Sequence, residues 1–366
     1  MFKKLIIPFI LITLVFSFVS FPSICINAAR EGLLLWFHKV LPSLLPFMVV
    51  INIFVNLDSV RNASHLLTPL TNKLWNLPGI SFLVFILSLL SGYPMGARII
   101  KDLLSSGTLT KNEAEKTLCF SNNCGLIFIV ATVGITLFNN ISIGYYLLIV
   151  HILSAFIISL IWRPITLSDS STIQACCESS NSHYSKKSLV SLFNESVTLS
   201  VDTITYVGGY IIFFSVISNL ITKTPLFNNL FSIYSPSSQL LISGAVSGSL
   251  ELSNGVNALS QVNLFYSLPI ISAVFSFGGI CVYCQTLHIL SGSNLLLTPY
   301  LISKIIQSII SFILAIILSP YLLSLDPPDL SYSAIIFWIL TFILVIIFSR
   351  IIITNNSNKY FKNDTL

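Results

Sequence analysis

The chain contains about ten apolar runs, most of them close to the roughly 20 residues that an α-helix needs to cross a lipid bilayer. Only 8% of its residues are charged, whereas a soluble globular protein carries roughly 25%. Because so few charges cannot cover a water-facing surface, lipid must contact most of the outside. The sequence therefore predicts an all-α, polytopic membrane protein with an uncleaved first helix. The runs span residues 5–24, 33–56, 80–97, 118–138, 141–162, 198–222, 238–258, 266–290, 299–321 and 331–353.

The net charge of +5 is concentrated in short basic patches between the runs, a pattern that orients a membrane protein and does not indicate nucleic-acid binding. Three patches should share the cytoplasmic side. Three runs separate Lys3 and Lys4 from the first patch, and five separate the second patch from the third. An odd number of crossings would place like-charged patches on opposite sides, so one run in each half is predicted to enter and leave on the same side. The patches are Arg98, Lys101, Lys111 and Lys116; Arg163, Lys186 and Lys187; and Arg350, Lys359 and Lys362.

Residues 91–96 and 247–255 interrupt their own apolar runs with proline or clustered glycine. Such residues end helices, and irregular backbone at membrane depth is tolerated only where protein or a wet cavity surrounds it. We therefore expect two re-entrant hairpins, the first entering from the cytoplasm and the second from the opposite side, together with about eight full crossings. The two halves would then carry the same elements in opposite orientation, as an inverted repeat. A plain ten-helix bundle with an unusual charge pattern is the alternative.

The long polar interval at residues 164–195 is Ser-rich and is predicted to be a cytoplasmic linker between the two halves. Residues 31–163 form the first predicted repeat, and residues 196–322 form the second. Residues 1–30 are assigned to an N-terminal transmembrane helix. Residues 323–366 are assigned to a last transmembrane helix followed by a cytoplasmic tail.

Several polar residues lie inside the apolar runs or at the two interruptions and are the candidates for substrate binding. An unpaired polar group costs roughly 1 to 3 kcal/mol when buried, so these side chains should face a cavity or another helix. A discontinuous helix around Asn122 and Asn123 would offer free backbone groups and amides to a substrate. The alternative is hydrogen bonding between helices, which polar residues in membrane bundles commonly provide. The candidates are Gly92, Tyr93, Pro94, Ser121, Asn122, Asn123, Asn254, Ser276 and Gln285.

Glu251 is the carboxylate of the second hairpin, and an acid within the membrane is a functional candidate by default. We expect it to couple transport to a proton or another cation, with capping of the hairpin tip as the alternative. Arg98 follows the first interruption and could form a bidentate contact with an anion, although it also belongs to a basic patch. Four further residues are expected to be packing or snorkelling residues rather than site residues. They are Asp202, His151, His288 and Lys304.

Enzymatic function is not indicated. The sequence has no H-E-x-x-H, no G-x-S-x-G and no P-loop motif. Cys281 and Cys284 form a C-x-x-C pair, but they lie in an apolar run without the second ligand pair that a zinc site needs. We expect no catalytic residue, no metal ion and no cofactor.

Five motifs, taken in order along the chain, resemble the YlbJ family of sporulation integral membrane proteins. This family belongs to the nucleoside-recognition (Gate) domain group of endospore-forming Firmicutes. The resemblance covers nearly the whole chain. The motifs are LPSLLPF at 41–47, SGYPMGA at 91–97, FSNNCG at 120–125, LELSNG at 250–255 and SFGG at 276–279.

The resemblance implies Gate-like repeats and a plan similar to that of concentrative nucleoside transporters. It also implies transport of dipicolinic acid, a planar aromatic dicarboxylate, from the mother cell across the outer forespore membrane during sporulation. The expected partners are this small anion, membrane lipid and a coupling proton or cation, with the oligomeric state left open. A membrane scaffold or receptor for assembly of the spore envelope is the alternative from another functional class.

Overall fold

The computed structural model describes residues 2–57, 64–165 and 189–322, and these residues form helices and connecting turns without a β-strand. A π-helical turn at Trp36–Val40 joins α2 to α3, and a second π-helix occupies Phe128–Leu137. The α-helices are α1 (Phe2–Ser20), α2 (Pro22–Leu35), α3 (Leu41–Val55), α4 (Thr68–Trp75), α5 (Ile80–Ser91), α6 (Met95–Ser105), α7 (Lys111–Ser121), α8 (Ile141–Trp162), α9 (Leu189–Thr222), α10 (Pro225–Leu230), α11 (Pro236–Leu250), α12 (Leu252–Leu259), α13 (Leu264–Phe277), α14 (Gly279–Ile289) and α15 (Thr298–Leu322).

Five helical stretches within the described ranges are long and apolar enough to cross a membrane, and a sixth arises if the bent pair His65–Trp75 and Ile80–Ser91 counts as one span. The prediction of an all-α, multi-pass membrane protein is therefore confirmed. The predicted last crossing at residues 331–353 lies outside the described residues, as does most of the predicted linker. Helix α9 begins at Leu189, earlier than the predicted start of the second half at residue 196. The five stretches are Pro22–Val55, Ile141–Trp162, Val190–Thr222, Leu264–Ile289 and Thr298–Pro320.

The described residues place matching elements in the same order in both halves. A long apolar stretch comes first (Pro22–Val55, then Val190–Thr222), followed by a short helix (α4, then α10). Each half continues with two helices joined at a short break, then with an interrupted helix, and ends with a long helix. In the first half these three elements are α5–α6, then α7 with Phe128–Leu137, then α8. In the second half they are α11–α12, then α13–α14, then α15.

The equivalent long helices of the two halves pack antiparallel. Trp36 Nε1 donates to Ile204 O at 3.0 Å, and Asn52 Nδ2 donates to Ser200 Oγ at 2.9 Å, so residue numbers rise along α2–α3 as they fall along α9. The same relation holds between α8 and α15, where Tyr146 OH contacts Ala315 O and Ser154 Oγ contacts Gln307 Nε2. Corresponding helices of the two halves thus point in opposite directions.

Helices α11 and α12 form a tight helical hairpin whose tip is Glu251. An ideal Cβ on Gly255 would lie 2.1 Å from Gly248 Cα, and one on Gly244 would lie 2.8 Å from the Leu259 side chain. Contacts of this kind require two helices that run back along each other, because residues this far apart in a single straight helix do not touch. Glycine permits the close approach because it has no side chain.

Helices α5 and α6 also reverse direction, at Gly92. Thr117 Oγ1 donates to Ser81 Oγ at 2.9 Å, and Ser88 Oγ donates to Ser121 O, so α5 and α7 run parallel. A Cβ on Gly96 would lie 3.1 Å from Ser88 Cβ, which shows that α6 returns along α5. One residue of each of the first two basic patches meets the other, because Lys116 Nζ donates to Arg163 O at 3.2 Å. Lys186, Lys187 and the third patch lie outside the described residues.

Candidate functional site

The two hairpin tips face a common cavity of about 60 Å³. Gly92 and Tyr93 of the first tip and Glu251 of the second line it, together with Gln285 of α14. Four of the predicted site residues, drawn from both halves, therefore share one wall. The remaining lining residues come from α3 and its preceding turn, from the interruption after α7, and from α9, α12 and α14.

The first tip is fitted against both interrupted helices. Gly92 has a φ of +83°, and a Cβ there would lie 2.9 Å from Gly125 N, so this position requires glycine. The hydroxyl of Tyr93 donates to Phe275 O at 3.2 Å, which ties the tip to the last turn of α13. The first hairpin thus contacts the interruption in its own half and the one in the other half.

Glu251 forms the second tip, and its carboxylate is buried. It accepts backbone hydrogen bonds from Ser253 N at 3.1 Å and Asn254 N at 2.8 Å, which makes it the N-cap of α12. The capping geometry that the sequence allowed as an alternative is present, and the same residue also lines the cavity. Asn254 lies beside it, and its Nδ2 donates to Ser215 Oγ of α9 at 2.7 Å.

The interruption after α7 presents buried amides to the second half. Asn122 Nδ2 donates to Tyr300 OH at 2.8 Å and to Thr286 Oγ1 at 3.1 Å. Its Oδ1 and the hydroxyl of Ser121 have no hydrogen-bond partner within the described part of the chain. The predicted discontinuity of this helix is present. The amide nitrogen of Asn122 is paired with residues of the second half, and its oxygen has no partner among the described residues.

Asn123 is the centre of a buried polar cluster. Its Oδ1 accepts hydrogen bonds from Lys304 Nζ at 3.3 Å and Gln307 Nε2 at 3.2 Å, and its Nδ2 donates to Phe120 O at 2.7 Å. Lys304 Nζ also donates to Gln307 Oε1 at 2.8 Å. Of the two expectations for Lys304, packing and snorkelling, snorkelling to the membrane surface is wrong. Its side chain is 1% exposed, because the tertiary fold surrounds it with amides.

His151 connects the two helix interruptions. Its Nε2 accepts a hydrogen bond from Cys124 N at 3.2 Å, so the other ring nitrogen carries the proton and donates to Ser276 Oγ at 3.1 Å. Ser276 also lies 3.4 Å from the hydroxyl of Ser154. The sequence predicts a packing or snorkelling residue at His151. In the structure its ring is buried and joins Cys124 of the first half to Ser276 of the second.

A second cavity of about 160 Å³ adjoins the first, and Gln285 and Val207 line both. Pro94 and Arg98 lie in its wall. Arg98 Nε contacts Asp102 Oδ2 at 3.3 Å, so its guanidinium already has an acidic partner within α6. Asp202 and His288 are exposed and line this outer cavity, away from the buried cluster. The outer cavity therefore lies beside Arg98 and Lys101 of the first basic patch and shares two lining residues with the cavity between the hairpin tips.

A polar stripe on α15 is the sequence signal that could have pointed to the buried positions of Lys304 and Gln307. Tyr300, Lys304, Gln307 and Ser311 recur every three or four positions and are all buried. Such spacing places them on one face of the helix, which must pack against protein when charged or amide groups occupy it. The described residues include no group of three or more His, Cys, Asp or Glu side chains arranged to hold a metal ion.

The chain is similar to a curated protein of Bacillus subtilis (strain 168), the sporulation integral membrane protein YlbJ. The two are 27% identical over 322 residues, which cover 82% of this chain and 79% of the relative. No protein-family model matches the chain. No solved structure matches it.

Proposed function

Because the chain belongs to the family of the sporulation integral membrane protein YlbJ, we propose that it is a membrane transporter for a small organic anion. The observation that carries this proposal is the meeting of two hairpin tips, one from each half, at a single cavity. Transporters built from inverted repeats place their substrates at such repeat interfaces, where broken helices expose backbone groups.

The antiparallel packing of equivalent helices supports an inverted repeat. In this arrangement α5–α6 enters the membrane from the cytoplasm and α11–α12 enters from the opposite side. The outer cavity beside Arg98 is then the cytoplasmic approach to the tips. Movement of either hairpin would open the central cavity to one side at a time.

The substrate we propose is dipicolinate, carried from the mother cell across the outer forespore membrane during sporulation, in keeping with the family resemblance. The site offers chemistry that suits a planar aromatic dicarboxylate. The amide of Gln285 and the ring of Tyr93 line the cavity, and α14 begins beside it with its positively polarised N-terminal end. Glu251 is the proposed coupling residue, since a carboxylate facing a dianion needs a proton or a cation.

The hairpin topology predicts a pairwise labelling pattern. In a cysteine-free background expressed in a bacterial host, Asn72→Cys and Ser105→Cys flank the first hairpin, and Ser237→Cys and Ser260→Cys flank the second. We expect a membrane-impermeant maleimide added to intact cells to label the second pair only. The first pair should react after the membrane is permeabilised. If the two cysteines of either pair react from opposite sides, that segment crosses the membrane and the inverted repeat is wrong.

Uptake into liposomes tests the transport proposal. Purified protein in liposomes should accumulate labelled dipicolinate, and Glu251→Gln should lower the rate by about tenfold or more, because the variant loses the titratable group. Glutamine keeps an oxygen that can cap α12, so a capping role alone predicts near-normal transport. The rate is measured from the initial uptake of label, with the amount of folded protein checked by gel filtration.

Glu31→Gln is the matched control, because it makes the same change at an exposed carboxylate that pairs with Lys223. It should transport at the wild-type rate. Normal transport by Glu251→Gln would remove Glu251 from the coupling mechanism. A wild-type protein that is folded and moves no dipicolinate would favour the scaffold alternative.

A further inference from the structure

Lys304 carries a buried amine, and among the described residues the groups around it are neutral. Its Nζ donates to Asn123 Oδ1 and Gln307 Oε1, and it lies 5.4 Å from the centre of the Tyr93 ring and 5.8 Å from that of Tyr300. Among the residues that the structure describes, no carboxylate forms an ion pair with it. Amide oxygens and aromatic faces hold an ammonium in place but do not neutralise it.

An unneutralised charge in this position is costly. Lys304 lies in the second turn of α15 and is fully buried, so an ammonium there loses its hydration, and charged groups inside membrane proteins usually pair with an opposite charge. Packing alone gives no reason for a lysine on the buried face of α15, where an apolar side chain of similar length would fill the space. The position therefore calls for an anion that is bound only part of the time.

Tyr93 lies between this cluster and the central cavity. Its ring contacts the ammonium of Lys304, and the same residue lines the cavity at the first hairpin tip. The hydroxyl of Tyr93 is held by backbone carbonyls at the end of α13. A shift of the first hairpin tip would therefore bring the cavity and the ammonium into one continuous space. It would also enlarge a cavity of only about 60 Å³.

We propose that Lys304 is the residue that pairs with a carboxylate of the transported anion, and that Tyr93 covers it while the site is empty. This inference rests on the proposed transport function and names the charge that the site uses. The carboxylate would take the place of the amide oxygens of Asn123 and Gln307 around the ammonium. The hydroxyl of Ser121, a donor without a hydrogen-bond partner among the described residues, lies at the same interruption.

The test compares two ligands of matched shape, dipicolinate and its neutral diamide, pyridine-2,6-dicarboxamide. Their affinities for the purified full-length protein are measured by isothermal titration calorimetry, and the same samples are tested for uptake in liposomes. Lys304→Gln should weaken dipicolinate binding by about 10- to 100-fold, because a hydrogen bond to a charged group usually contributes that much to affinity. Binding of the diamide should change by less than about threefold, because that ligand carries no charge for the ammonium to pair with.

Two further variants separate charge from structure. Gln307→Leu disturbs the same cluster but keeps the ammonium, and it should retain the preference for dipicolinate over the diamide. Lys223→Gln removes an exposed lysine and should bind both ligands like the wild type. Melting temperatures without ligand report whether each variant is folded.

Loss of dipicolinate affinity in Lys304→Gln, with diamide affinity unchanged, would support the assignment. Equal losses for both ligands in Lys304→Gln, or loss of the preference in Gln307→Leu, would show that Lys304 acts only through the structure of the cluster. A Lys304→Gln variant that binds and transports dipicolinate like an active wild type would overturn this inference alone. A folded wild type that neither binds nor transports dipicolinate would instead overturn the proposed substrate.

Discussion

Gly255→Ala is expected to destabilise the protein by about 3 kcal/mol, because the second hairpin cannot then close. The added Cβ would lie 2.1 Å from Gly248 Cα and 2.9 Å from Gly244 O, both of which are backbone atoms. No rotamer change can relieve such an overlap, so α12 must move away from α11. The loss of stability is measured by thermal or denaturant unfolding of the detergent-solubilised protein, with the folded fraction followed by gel filtration.

Gly209→Ala is the matched control. This glycine also lies in a helix, and nothing comes within 4 Å of a Cβ built there. The same substitution should therefore raise stability by about 0.5 to 1 kcal/mol, since alanine favours the helix more than glycine does. If both variants are as stable as the wild type, the two arms of the hairpin do not pack as described.

Asn123→Leu should be the most harmful change in the buried cluster. It removes the oxygen that accepts hydrogen bonds from both Lys304 and Gln307, and it leaves a buried ammonium with one amide partner. Breaking one side of a buried charged interaction costs about 3 to 5 kcal/mol, mostly because the remaining charge is uncompensated. The double variant Asn123→Leu/Lys304→Met removes that charge as well and should recover most of the stability.

A double-mutant cycle measures this coupling. The free energies of unfolding of the wild type, both single variants and the double variant are compared under one set of conditions. We expect the double variant to be more stable than Asn123→Leu alone by about 2 kcal/mol or more. Simple addition of the two single effects would mean that Asn123 does not hold the charge of Lys304.

Both predictions concern the contacts between elements that transport would have to rearrange. Each hairpin tip touches an interrupted helix, and the first touches those of both halves through Gly125 and Phe275. His151 joins the two interruptions directly through Cys124 and Ser276. A displacement of the first hairpin would therefore shift the helix interruption of the second half. Alternating access requires contacts of this kind between the two halves.

The interruptions of the helices could be predicted because their causes are local. Gly92 and Pro94 lie at the break between α5 and α6, where glycine and proline commonly end a helix. In the second half the break is at Glu251, while Gly248 and Gly255 lie inside α11 and α12 and let the two arms pack closely. The adjacent amides at Asn122 and Asn123 mark a third interruption for a similar reason, since their polar groups cannot face lipid. The buried contacts of Lys304 and His151 could not be predicted, because they join residues of different apolar runs that lie far apart in the sequence.

The sequence by itself determined that lipid surrounds most of the protein, that the chain is helical and where its helices are interrupted. Each of these depends on composition or on neighbours within a few positions. Only the tertiary structure decided which polar groups meet. Lys304 and Asn123 are 181 residues apart, and Tyr93 and Phe275 are 182 apart. A buried charge in a membrane is stable only beside suitable partners, and those partners are brought together by the antiparallel packing of the two halves.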